Sequence, residues 1–279
     1  MTAATSQTRD LAWLKRNSPE DARVGVHDVT SGQAVLGVMG PRARDLLQPL
    51  TDANLSNEAF PFATSQVIDL GYARVRASRI TYVGELGWEL YIPSEFAQGV
   101  YDVISEAGCP IGLKLAGYHA MNSLRIEKGY RHWGHDVTEE DTPFEAGLSF
   151  AVAMNKPGGF IGREALLSQK ERGLTRRLAQ FVMEDLEPLL YHNEPILRDG
   201  EIVGRVTSGM FGHTIGRAIG LGYIENGGEA VTPEFIQGSQ FEIEVAGVRF
   251  RAKASLKPLY DPENLRVKDI EGRTLRHVA

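Results

Sequence analysis

The character of the chain changes once, near Gly173, and that change constrains the fold more than any single motif. Up to Arg172, apolar residues recur at helical and at strand spacings in turn. Beyond it helical periodicity is lost, and short strand-like runs separated by turn residues take over. Asp199-Gly200 lies between Ile196-Leu197 and Ile202-Val203, and Ala246-Gly247 lies between the runs 241–245 and 248–252. Two-residue loops of this kind, flanked by apolar runs, read as tight hairpins. Gly204, Gly209, Gly212, Gly216, Gly220 and Gly222 punctuate the middle and read as strand turns. Several strands in so short a stretch predict a small β-barrel or sandwich. The boundary falls within 162–175, giving domains at 1–172 and 173–279.

Before that boundary the elements alternate. Asp10-Leu11-Ala12-Trp13-Leu14-Lys15-Arg16 carries an amphipathic helix signal with an acidic start. Residues 33–39 read as a buried strand ended by Gly40-Pro41. Pro41 suits the first turn of a helix over 42–50, with Ala43, Leu46, Leu47 and Leu50 on one face. Strand-like runs follow at 65–70 and 73–82. In the second, Val75, Ala77 and the stem of Arg79 alternate with Arg74, Arg76 and Ser78. A third strand covers 88–92. Ser94 is positioned to cap a helix over 95–107 with Phe96, Val100, Val103 and Ile104 inward, stopped by Gly108. Helices are also expected over 116–128 and 163–172. The pattern predicts an α+β fold: helices packed on a mostly antiparallel sheet with ferredoxin-like elements, then the small β-domain.

Formal net charge is −6, which excludes a strongly basic nucleic-acid binder. No run approaches the ~20 apolar residues of a membrane helix, so neither nucleic acid nor membrane is expected as a partner. Residues 1–10 are polar, and no secretory leader is expected there. Cys109 is the only cysteine, which rules out an internal disulfide and argues against a cysteine zinc site. A reducing, cytoplasmic setting is expected. No glycine run has the register of a dinucleotide loop or a P-loop.

Four places could carry chemistry. His132-Trp133-Gly134-His135-Asp136 groups two imidazoles and a carboxylate. Gly134 disfavours the helix that would align them on a metal, so a polar loop bonded to backbone is expected, with contact to a ligand as the alternative. Cys109, placed after a helix end with no base beside it, reads as a buried structural thiol. Arg74 and Arg76 share a strand face, and Arg125, Lys128 and Arg131 crowd one helix end. They read as a solvated cationic face or, more sharply, as a landing site for an anionic ligand tail. In Trp88-Glu89-Leu90-Tyr91-Ile92, alternation puts Trp88, Leu90 and Ile92 on one face and Glu89 with Tyr91 on the other. A carboxylate beside an aromatic ring suits a flat ligand offering two parallel N–H donors. The plainer reading is a solvent-exposed glutamate on a half-buried strand.

Longer motifs bring in a resemblance. The stretch from Asp52-Ala53-Asn54-Leu55 to Phe60-Pro61-Phe62 is one. Tyr82-Val83-Gly84-Glu85-Leu86-Gly87-Trp88-Glu89-Leu90 is another. Ile126-Glu127-Lys128-Gly129-Tyr130-Arg131-His132-Trp133 and Glu145-Ala146-Gly147-Leu148 complete the set. Together they resemble the C-terminal folate-binding region of sarcosine and dimethylglycine dehydrogenases, in the aminomethyltransferase (glycine cleavage T-protein) family. The resemblance implies a tetrahydrofolate site, capture of a one-carbon unit from an N-methyl amine, and a small C-terminal barrel. By position, Glu89 matches the glutamate that binds the pterin ring. Tyr82 matches the tyrosine before that motif, Leu90 and Tyr91 flank the same ligand, and Phe150 matches an aromatic after Glu-Ala-Gly-Leu.

Two departures accompany the match. Met121 stands where glycine-cleavage relatives have arginine. The chain also begins late, lacking roughly the first 100 residues of the family's region, on a scale close to a small domain. That segment carries the family's catalytic aspartate, so no catalytic residue is assigned here. The resemblance places FAD on a partner or on a missing domain, and implies a flavoprotein subunit or other covering polypeptide as partner. The expected role is tetrahydrofolate-dependent one-carbon transfer. The rivals are a non-catalytic folate-binding module and a demethylase acting on another methyl donor.

Overall fold

The structure, a computed structural model, describes residues 2–269. The chain forms two compact units. One comprises Met1–Thr81 and Leu86–Lys114, the other Tyr82–Glu85 and Leu115–Ala279. No helix among the described residues is long and apolar enough to cross a membrane.

The first unit contains α1 (Gln7–Arg16), β1 (Gln33–Met39), α2 (Ala43–Leu47), β2 (Ser65–Leu70), β3 (Ala73–Ser78), β4 (Gly87–Pro93) and α3 (Ala97–Gly108). Its four strands form an antiparallel sheet in the order β1-β4-β3-β2. Alternation holds along β4: Trp88, Leu90 and Ile92 are sealed in the core with Val75 and Ala77 of β3. Leu47 from α2 and Val100 and Ile104 from α3 complete that core. Phe60 meets the Trp88 ring edge-on at 6.1 Å. The guanidinium groups of Arg44 and Arg79 each lie 5.7 Å from the same ring. Both donate to the Asn57 side-chain oxygen, at 2.8 and 2.6 Å. The 52–62 run therefore serves the core: its asparagine holds two cations around the central tryptophan.

Three local expectations are corrected here. Residues 94–96 form a 3₁₀ turn and α3 starts at Ala97, so Phe96 is rotated outward and is 40% exposed. The tighter winding of that turn, with fewer residues per turn than an α-helix, shifts the inward face. Ser94 does not cap α3; its hydroxyl donates to the Ser31 carbonyl at 2.8 Å. Cys109 is exposed rather than buried, because Cys109–Ile111 leaves the end of α3 as a further short turn.

The second unit contains α4 (Tyr118–Glu127), α5 (Arg163–Arg172), β5 (Arg176–Met183), β6 (Pro195–Arg198), β7 (Glu201–Gly212), β8 (Arg217–Glu225), α6 (Pro233–Gln237), β9 (Phe241–Val245), β10 (Val248–Ser255) and α7 (Leu265–Lys268). The six strands close into an antiparallel barrel in the order β10-β5-β8-β7-β6-β9. Phe181, Ile196, Val206, Ile224 and Ile243 belong to its core. Both two-residue hairpins are present, with φ of 52° and 89° at Asp199-Gly200 and 51° and 80° at Ala246-Gly247. Positive φ at both central residues fits the twist of the flanking strands. The remaining glycines are not the strand turns expected: all but Gly216 lie inside β7 and β8. At Gly204 a Cβ would stand 1.8 Å from the Tyr223 carbonyl oxygen, so the close approach of the two strands requires its absence. Helix α4 is tied to the barrel, where the Ser123 hydroxyl donates to the Phe211 carbonyl at 2.7 Å.

Candidate functional site

Strand β4 presents Glu89 and Tyr91 on the face opposite Trp88, Leu90 and Ile92, and both are partly buried. Glu89 lies across from Gly37 of β1 and Ser78 of β3. Neither neighbour carries a bulky side chain, so the glutamate has open flanks within the sheet. The Tyr91 hydroxyl donates to Glu89 Oε2 at 2.6 Å. Burial first, and the adjacent carboxylate second, push the Tyr91 phenol well above its usual range. It therefore stays a protonated donor. Glu89 Oε1 accepts no bond among the described residues. Such a carboxylate, fixed at one oxygen and open at the other, fits the N–H edge of a flat heterocycle. The strands can approach closely enough to build this face because Gly87 has no side chain; a Cβ there would stand 2.7 Å from Met39 Cγ. Leu90 points the other way, wholly within the core.

Tyr82 and Phe150 belong to the second unit. The Tyr82 ring stacks on Tyr130, with centroids 6.2 Å apart and planes 8° from parallel. Its hydroxyl donates to the Arg131 carbonyl at 3.0 Å, and burial raises its pKa. Phe150 sits on a short turn after Glu145-Ala146-Gly147-Leu148 and is 84% exposed. The structure thus brings Glu89 and Tyr91 together, while Tyr82 and Phe150 stand on separate elements of the other unit.

The cationic helix end is not a solvated face. Arg125 and Lys128 are buried, and their charges are met inside the second unit. Arg125 pairs with Asp136 at 2.5 Å and donates to Ser208 Oγ at 2.8 Å. Asp136 also accepts from the His132 backbone N–H and from the Thr207 hydroxyl. Lys128 pairs with Asp261 at 3.1 Å, and burial lowers its pKa. Arg131 donates to the carbonyls of Gly129 and Ala146 at 2.7 and 2.9 Å. Arg125 and Lys128 are thus neutralised by buried carboxylates and offer no landing site for an anionic tail. In the His132–Asp136 loop the carboxylate serves Arg125 and the loop's own backbone. Among the described residues no group of three or more His, Cys, Asp and Glu is placed to hold a metal.

Residues 1–156 match the family model described as the GCVT N-terminal domain, and residues 176–261 match the glycine cleavage T-protein C-terminal barrel domain. The chain belongs to the glycine cleavage T-protein family. Among curated relatives of this T-protein family member, a 4-methylaminobutanoate oxidase (formaldehyde-forming) of Paenarthrobacter nicotinovorans is 40% identical, over 96% of this chain and 32% of that protein. The mitochondrial sarcosine dehydrogenase of Homo sapiens is 44% identical, over 87% of this chain and 26% of that protein. The chain therefore spans a third or less of the length of these two relatives. A crystal structure of the glycine cleavage system aminomethyltransferase T from Bartonella henselae shares the fold. Its TM-score is 0.76 at 22% identity, covering 93% of this chain and 67% of that one.

The hydrogen bond from Tyr91 to Glu89 was not read from the sequence, although strand alternation places the two on one face. The small neighbours Gly37 and Ser78 leave no local signal, since they meet Glu89 only through strand pairing, across 52 and 11 residues of chain.

Proposed function

We propose that this chain is a tetrahydrofolate-binding region for one-carbon transfer, of the kind fused to flavin-dependent N-methyl amine oxidation in sarcosine and dimethylglycine dehydrogenase-like systems. The observation that carries the reading is Glu89, held at one oxygen on an open strand face and free to accept at the other. The reduced pterin offers the complementary edge, an amino group beside a ring N–H. Tyr82 and Phe150 are assigned to the same ligand by the family resemblance. Leu90 supports the same strand from beneath. When bound, tetrahydrofolate supplies the nitrogen that takes up the one-carbon unit; the residues of this chain bind and orient it. Flavin oxidation is assigned to a separate polypeptide or region bearing FAD, as the family resemblance implies. A reducing, cytoplasmic setting suits the single exposed cysteine.

Isothermal titration of tetrahydrofolate tests the reading. Glu89→Ala is expected to weaken binding by about 2–3 kcal/mol, the range for a charged hydrogen bond lost from a site. Unchanged affinity removes Glu89 from the site. A transfer assay with a formaldehyde or aminomethyl donor then separates the two roles. Product formation supports one-carbon transfer, and binding without product assigns a folate-holding module.

A further inference from the structure

Glu89 and Tyr91 are two residues apart on one face of β4, and the phenol reaches back to the carboxylate at 2.6 Å. Among the described residues this is the bond Glu89 makes. Ser78, across the sheet, is turned to Ser65, to which its hydroxyl donates at 3.1 Å. Gly37, on the other side, has no side chain to offer. An unanchored glutamate samples several rotamers, and fixing one of them is part of the cost of binding. Here the tyrosine has already fixed it.

We infer that Tyr91 is a positioning residue for Glu89: its hydroxyl holds Oε2 and leaves Oε1 to accept the ligand's N–H, instead of contacting folate itself. This rests on the folate reading of Glu89. It goes further, because it gives Tyr91 an effect only where the carboxylate is present. Pre-ordering a side chain before the ligand arrives removes an entropic cost from association without adding a contact.

A double-mutant cycle on the 279-residue chain tests it. Tetrahydrofolate affinity is measured for the parent, Tyr91→Phe, Glu89→Ala and the double variant, with a thermal melt of each to verify folding. Phe keeps the ring and removes only the hydroxyl; Ala removes the acceptor. Tyr91→Phe is expected to weaken binding about three- to tenfold, the cost of ordering one side chain. In the Glu89→Ala background the same change is expected to alter affinity by less than about twofold, because the groups are coupled. Equal losses in both backgrounds, or none in the parent, overturn the positioning role. If Glu89→Ala itself leaves affinity unchanged, the folate reading has failed. If Glu89→Ala weakens binding and Tyr91→Phe does not, only the positioning inference has failed. A variant that melts early is replaced by Tyr91→Leu in the same cycle, whose coupling to Glu89 decides the matter in the same way.

Discussion

Arg125 and Asp136 form an ion pair at 2.5 Å in which neither side chain is exposed beyond 2%. Asp136 also receives the His132 N–H and the Thr207 hydroxyl, and Arg125 also reaches Ser208. The pair joins the end of α4, the 132–137 loop and strand β7 of the barrel. Buried pairs add little net stability over apolar replacements, but breaking one leaves a charge without a partner in the interior. Asp136→Asn keeps the shape and removes the charge. It is expected to cost about 3–5 kcal/mol, read as a lowered midpoint in urea unfolding.

Tyr223 poses the opposite case. Its side chain is buried, the Arg176 guanidinium lies 3.8 Å over its ring, and its hydroxyl has no partner among the described residues. An unsatisfied buried hydroxyl costs about 1–3 kcal/mol. Tyr223→Phe keeps the cation over the ring and removes the unmet group. The variant is therefore expected to be as stable as the parent or more stable by about 1 kcal/mol in the same unfolding experiment. A loss of stability would show that the hydroxyl is satisfied in solution.

His132 gives the second unit a pH dependence of known sign. Burial first, then neighbouring His135 and Arg125, hold its pKa below the usual imidazole value. The two imidazole rings stand 4.6 Å apart. As pH falls below about 6.5, the unfolded chain takes up this proton before the folded one does, so stability decreases with acidification. The contribution is complete above the unfolded pKa and is lost as pH falls through the folded one. His132→Asn removes this response. Its urea midpoint is expected to fall less than the parent's between about pH 7.5 and pH 5.

Two glycines separate close packing from backbone freedom. Gly204→Ala drives a methyl onto the Tyr223 carbonyl and is expected to destabilise the barrel by about 3 kcal/mol or more. Gly99, within α3, has nothing within 4 Å of a built Cβ. Gly99→Ala is expected to raise stability by about 0.5–1 kcal/mol, by restricting the unfolded chain and favouring the helix. Thermal melts of the two variants, moving in opposite directions, check both.

What could be read from the sequence was what local spacing controls. The alternation that seals Trp88, Leu90 and Ile92, both two-residue hairpins, and the extent of α5 all follow from residues close in the chain. The helix end at Arg125 and Lys128 was misread because its partners are remote. Asp136 and Asp261 sit on other segments, and no local pattern distinguishes a cation facing water from one facing a distant carboxylate. Cys109 and Phe96 were misplaced for a smaller reason, a single turn of 3₁₀ geometry at each end of α3. In the candidate site, the face of Glu89 was legible and its hydrogen bond was not. Glycines inside β7 and β8 looked like turns because crowding between strands leaves the same mark on a sequence as a bend.

Closure of the barrel pairs its first strand, β5, with its last, β10, and β10 also covers β9. During synthesis, then, two sheet borders stay unzipped until the ribosome has delivered the segment ending at Ser255. Such long-range pairing is slow to form, and naked strand borders recruit other chains. A nascent polypeptide stalled before Val248 carries five of the cylinder's six strands but lacks the stave that shuts it.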